Sequence, residues 1–201
     1  MASLFTGKVL LANREEEELE TERELCRALD NKVLLLYFGS GQSPNCRSFS
    51  LLLKDFFLRL TDGFYVERAA QLGLVYLSRD ETEEQQSAFL RSMPRRWLAL
   101  PFGDAFTREL ELRFAVAEVP AVVVLKPNGE LICGNAVEQI RLLGPSCFQN
   151  WQEAAELLDR NFCLAEEFDN TVRRSISDPI RRLKYRVGKK KEKREEGGES
   201  S

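Results

Sequence analysis

Ser43-Pro44-Asn45-Cys46 is the stretch whose residue types suit sulfur chemistry. Cys46 would stand in the first turn of a helix, where unpaired backbone N–H groups and the positive end of the helix dipole stabilise a thiolate. Such a thiol attacks another sulfur or forms mixed disulfides. The same position equally suits a small apolar residue packed in the first turn, because free cysteines are among the most buried residue types. The other cysteines, Cys26, Cys133, Cys147 and Cys163, are widely spaced and form no Cys-x-x-Cys pair. That spacing argues against a disulfide framework or a zinc site. Cys26 and Cys147 fall on apolar helical stripes and read as core. Histidine is absent, which excludes imidazole nucleophiles, imidazole bases and imidazole metal ligands.

The elements around this stretch would place it at the carboxyl end of a buried strand, where open α/β sheets carry their chemistry. Residues 33–38 form a nearly continuous apolar run, as a strand covered on both faces needs, and residues 39–42 are a breaker-rich turn. Ser43 then suits an N-cap and Pro44 the first helical position, and Phe49, Leu52, Leu53, Phe56 and Leu60 recur on one helical face. Upstream, residues 4–11 predict a first strand at the sheet edge. Asn13 with Glu16 predicts a capping pair opening a charged helix with Leu19, Cys26 and Leu29 inside, the acidic run 15–18 being a solvated face.

Downstream, residues 74–78 read as the next buried strand, and Asp80 with Glu83 opens a helix with Phe89, Leu90 and Met93 inward. Residues 97–102 form an apolar connector that either lines a groove or covers the core. Asp104 caps a helix carrying Phe106, Leu110 and Phe114. Val119-Pro120 precedes a buried strand over 121–125, and Lys126-Pro127-Asn128-Gly129 turns it into a hairpin with 130–133. Gly144-Pro145 breaks the chain before a helix with Cys147, Trp151, Ala154, Leu158 and Phe162 on one face. This order predicts an α/β sheet with helices on both faces.

At 201 residues with 43% apolar content, the chain predicts one domain over 1–163 and a polar, basic, disordered tail over 164–201. The net charge of −3 divides unevenly: residues 171–201 carry a surplus of +6 and the remainder −9. With a single aromatic, Tyr185, and interspersed acids, residues 171–201 lack the stacking surface of nucleic-acid binders. Ser175 and Ser177 follow Arg173 and Arg174, a weak hint of phosphorylation. No apolar run approaches the length of a membrane span, and residues 1–8 lack the apolar core of a signal peptide, so the expectation is a soluble, cytoplasmic protein. No cofactor or metal is expected.

Phe38-Gly39-Ser40-Gly41 leading into Pro44-Asn45-Cys46, between a hydrophobic strand and a hydrophobic helix, resembles the active-site loop of the thioredoxin superfamily. Three further segments are similar to its nucleoredoxin and tryparedoxin branch: residues 93–102, 119–129 and 147–156. The resemblance extends from Met1 to about residue 163 and is loose afterwards, around 182–187. It implies a thioredoxin-like fold, a central mixed β-sheet with helices on both faces. It also implies a cis Val119-Pro120 bond facing an active-site-like loop, so that Ser43, Pro44, Asn45, Cys46 and Pro120 meet in space.

One departure changes the chemistry. The family pattern carries two cysteines separated by two residues, and Ser43 stands where the first, attacking cysteine would be. A serine hydroxyl with no base to activate it forms no stable bond to sulfur, so dithiol exchange by this motif is excluded. Two functions remain. In the first, the domain engages a protein partner; the resemblance implies cone photoreceptor survival through basigin with a glucose transporter, a place in the photoreceptor outer segment, and secretion of a shorter form. In the second, Cys46 is a monothiol that protects photoreceptors from oxidation through mixed disulfides with glutathione or a client, or by pairing with a near cysteine such as Cys133.

Overall fold

The computed structural model describes residues 2–13, 17–19, 29–62 and 71–155. Strand β3, Val33–Gly39, is buried along its whole length, as its unbroken apolar run requires. Strand β4, Leu72–Ser78, runs parallel to it, and β6, Ala121–Leu125, runs antiparallel on its other side with Phe38 opposite Ala121. The remaining strands are β1, Leu10–Ala12; β2, Glu17–Leu19; β5, Leu98–Ala99; and β7, Leu131–Cys133. Together they form a mixed sheet of order β2-β1-β5-β4-β3-β6-β7.

Side chains alternate across β3 and divide the interior in two. Val33, Leu35 and Tyr37 meet helices α1, Pro44–Thr61; α2, Glu83–Arg91; α4, Val137–Leu143; and α5, Cys147–Ala155. Leu34, Leu36 and Phe38 face the opposite way, toward Phe5, Leu29 and helix α3, Ala105–Arg113. Helices therefore cover both faces. Helix α1 buries Phe49, Leu53, Phe56, Phe57 and Leu60, each worth roughly 1.5–3 kcal/mol of removal from water. That anchoring fixes where the first turn of α1, and with it Cys46, stands over the end of β3.

The sequence misplaced several boundaries. Residues 17–19 are a strand, where the sequence predicts the helix that Asn13 would cap. The Asn13 side-chain amide donates to the carbonyls of Leu90, Met93 and Pro94 at 2.7, 3.1 and 3.1 Å, and Glu17–Leu19 returns antiparallel against β1. Pairing with distant backbone wins here over the local charge pattern. The apolar start is a 3-10 turn, Ala2–Phe5, followed by β1, which lies inside β2 and not at the edge. On α1, Leu52 is 38% exposed and Phe57 takes the inner place. On α5, Ala155 faces in and Ala154 out, in step with Cys147 and Trp151 four residues apart. Helix α4 has no counterpart in the sequence analysis, because seven residues make only about two turns, too short to show a period. The expected positions Cys26, Leu158, Phe162 and Cys163, the boundary near 163 and the tail lie outside the described residues.

Candidate functional site

Ser43 caps α1 with extended backbone, φ −74° and ψ 124°, and Pro44 follows at the start of the helix. The Ser43 hydroxyl accepts from the Cys46 N–H at 3.5 Å, so the oxygen that replaces an attacking sulfur serves as a helix cap. Cys46 itself is fully buried, at 0% exposure. The Tyr37 hydroxyl reaches its carbonyl at 3.4 Å. Pro44 and Asn45 are exposed, and Ser43 is partly so.

The Val119-Pro120 bond is cis. Pro120 and Asn45 share a groove of about 550 Å³ whose walls include Val116, Val119, Asn135 and Arg141. The structure thus brings Asn45 and Pro120 to one surface, while Ser43 and Cys46 are not among the residues lining it. Among the described residues there is no cluster of Cys, Asp or Glu able to hold a metal ion, and no helix is long and apolar enough to cross a membrane.

The residue that organises the loop is Asp80, which the sequence predicts at the start of α2. That cap belongs to Thr82, whose hydroxyl accepts from Gln85 N at 3.3 Å. Thr82-x-x-Gln85 is itself a capping-box pattern, a signal that was present in the sequence. Asp80 is thereby free to reach back under the loop. One carboxylate oxygen accepts from the Ser40 hydroxyl and Gly41 N, both at 2.8 Å, and the other from the Ser78 hydroxyl at 2.8 Å and the Tyr76 hydroxyl at 3.0 Å. Above it, the Arg47 guanidinium donates to Gly41 O at 2.5 Å and to the Gln42 side chain at 3.2 Å. A Cβ at Gly41 would come within 3.1 Å of Phe89 Cβ, so the loop lies directly on α2.

A family model for thioredoxin-like proteins matches residues 31–131, from just before β3 to the first residue of β7. Nucleoredoxin-like protein 1 of Mus musculus is 58% identical over 188 residues, covering 93% of this chain and 87% of that protein. Its Homo sapiens counterpart is 54% identical over 190 residues, covering 94% and 90%. The chain belongs to the nucleoredoxin-like proteins of the thioredoxin-like family. Solved structures agree on the fold of this nucleoredoxin-like chain. A thioredoxin from Wuchereria bancrofti is similar at a TM-score of 0.59 and 26% identity, over 75% of this chain and 98% of its own. A tryparedoxin from Trypanosoma brucei is similar at 0.59 and 25%, over 75% and 96%.

The electrostatics beneath the nucleoredoxin-like loop oppose ionisation. Burial pushes the hydroxyls of Tyr37 and Tyr76 above their ordinary range; the charges of Cys46 and Asp80 add to this at Tyr37, and that of Asp80 at Tyr76. Burial also pushes the Cys147 thiol from 9.0 up to about 12. A group with a raised folded-state pKa stabilises fully below its unfolded value and loses that stabilisation as pH climbs toward the folded value. Stability is therefore expected to fall from about pH 9 upward, each group steepening the decline by at most ~1.4 kcal/mol per pH unit. Thermal melts from pH 7 to 11 check this. Cys147→Ala should flatten the part that begins near pH 9, and Tyr76→Phe the part that begins near pH 10.

Proposed function

We propose that this nucleoredoxin-like protein works by binding a protein partner and not by dithiol turnover, in support of photoreceptor survival, cones above all. The observation that carries the reading is the pair Ser43 and Cys46: the first is a helix cap with no thiol, and the second is at 0% exposure. What stays open to a partner is the groove of Asn45 and Pro120 beside the loop. The partner proposed from the family resemblance is basigin with a glucose transporter, with the protein in the cytoplasm of the photoreceptor outer segment and a shorter form secreted. The monothiol alternative asks a partner sulfur to reach Cys46, and burial opposes that approach.

Insulin disulfide reduction by the purified chain, beside Ser43→Cys and Cys46→Ser, tests the reading. The natural chain should stay at background, and Ser43→Cys should raise the rate at least about tenfold by restoring the attacking sulfur on an intact scaffold. Binding of basigin should be unchanged in Cys46→Ser. Reduction by the natural chain that Cys46→Ser abolishes would establish the monothiol mechanism instead.

A further inference from the structure

Away from the loop, two thiols stand on facing elements. Cys133 ends β7 opposite Val124 of β6. Residues paired across neighbouring strands point to the same face, and Val124 belongs to the core covered by α1 and α5. Cys133 is accordingly packed against that core while remaining partly exposed. Cys147 opens α5, which lies against β7, and is buried there at 1% exposure with its Sγ donating to Gly144 O at 3.0 Å. Negative charge on Cys133 reaches Cys147, adding to the burial that holds the Cys147 thiol protonated. Both are free thiols.

The register also separates Cys133 from the loop cysteine. Val124 pairs with Leu35, and Leu35 lies four residues before Gly39, where β3 ends. At about 3.3 Å per residue, that puts Cys133 level with a point roughly 13 Å down the sheet from the end that carries the loop. Its thiol neighbour on the described residues is Cys147, and the pairing of Cys46 with Cys133 weighed from the sequence is not supported by this placement.

We propose that Cys133 and Cys147 are a peroxide-responsive redox pair, Cys133 being the thiol that is oxidised first and Cys147 the one that resolves it into a reversible disulfide. In the first step the partly exposed Cys133 thiolate attacks a peroxide oxygen. An S–O bond forms, the O–O bond breaks, and hydroxide leaves and takes a proton as water, giving a sulfenic acid. In the second step the Cys147 sulfur attacks the Cys133 sulfur. The S–S bond forms, the S–O bond breaks, and the departing hydroxide leaves with the Cys147 proton as a second water. Two electrons pass from the thiols to the peroxide. Two equivalents of a small thiol such as glutathione return them by exchange.

The unequal exposure sets the order. Buried and held protonated, Cys147 is a poor target for peroxide; once Cys133 is a neutral sulfenic acid, the negative charge that helped hold the Cys147 proton is gone, and the thiol yields that proton as it attacks. The bond would close a ring around α4, whose Val137, Glu138 and Arg141 line the groove beside Asn45 and Pro120. Oxidation would thus tether one wall of that groove to the sheet. The pairing does not depend on what the groove binds.

Peptide mass mapping without reduction, on the full chain treated with hydrogen peroxide and then alkylated, reads the outcome directly. The expected product is a Cys133–Cys147 linked peptide pair, two hydrogens lighter than the free thiols and released by glutathione. Cys46→Ser should form it unchanged. In Cys147→Ala, Cys133 should go on to the sulfinic acid, or to a glutathione adduct when glutathione is present. Linkage of Cys133 to any other cysteine would overturn the proposal. So would oxidation of Cys133 in the natural chain to higher acids alone, or survival of both thiols under peroxide that oxidises free cysteine.

Discussion

Trp97→Ala is expected to lower the unfolding free energy by about 3–5 kcal/mol, the range for emptying a buried aromatic site. Trp97 is at 0% exposure, with its ring edge-on to Tyr37 at 6.0 Å and to Phe57 at 6.2 Å. It thus joins β3 to the C-terminal half of α1, the helix whose first turn carries the loop. Its backbone adds further ties, accepting from Asn13 N at 3.0 Å and donating to Pro94 O at 3.0 Å. Among the described residues, however, the indole N–H has no hydrogen-bond partner. An unpaired buried donor costs roughly 1–3 kcal/mol, so Trp97→Phe removes a liability along with some packing and should lose well under half of what Trp97→Ala loses. Urea unfolding followed by far-UV circular dichroism distinguishes them. Equal losses would mean that the indole nitrogen is satisfied in solution.

Trp97 also shows where sequence reading stops. The apolar segment 97–102 offered two roles, core cover or groove wall, and the structure divides them within six residues. Trp97 is core, while Phe102 is 39% exposed and lines a cavity of about 480 Å³ with Leu90 and Arg95. Periodicity could not separate these, since a two-residue strand, β5, has no period. The strand–loop–helix of 33–61 was legible because each signal in it is local: an unbroken apolar run, breakers, a serine cap, a proline and a stripe at steps of three and four.

What was not legible acts at a distance. Glu17–Leu19 is a strand because β1 pairs with it, and nothing in its own acidic composition says so. Asn13 looks like a helix cap and instead satisfies carbonyls some eighty residues away. Of the candidate site, Ser43 as cap and Pro44 behind it follow from the residues themselves. The closeness of Asn45 to Pro120 came from family resemblance, since no local rule joins residues so far apart in sequence. The arrangement Cys133 with Cys147 was missed because it needs the register of β6 on β7.

Asp80 is the sharpest case of such distant action, and its removal is the second large effect. Asp80→Ala is expected to cost about 3–4 kcal/mol, because one carboxylate accepts from Ser40, Gly41, Tyr76 and Ser78 and bonds to a charged acceptor are worth about 1.5–3 kcal/mol each without adding fully. The four donors differ in what they can do afterwards. The Tyr76 hydroxyl also lies 3.1 Å from Gly39 O and can turn to it, whereas the Gly41 N–H sits against α2 with no second acceptor shown. Loss should therefore concentrate in the loop, seen as faster amide exchange at Gly41 and Gln42 than in the body of β3.

Asp80→Asn should fall between, keeping one acceptor oxygen while presenting an amide to the opposing hydroxyls. It should also bring Tyr76 ionisation down toward its ordinary range, since the Asp80 charge is one of the causes that raise it. Thr82→Ala supplies the comparison: it removes only the cap of α2, worth about 1 kcal/mol. If Asp80→Ala proves no more costly than Thr82→Ala, and Gly41 exchanges as slowly as before, then Arg47 and the Ser43 cap hold the loop without the carboxylate. If the two differ as expected, the shape of the Ser43-Pro44-Asn45-Cys46 surface depends on a distant residue in the loop after β4, whatever that surface binds.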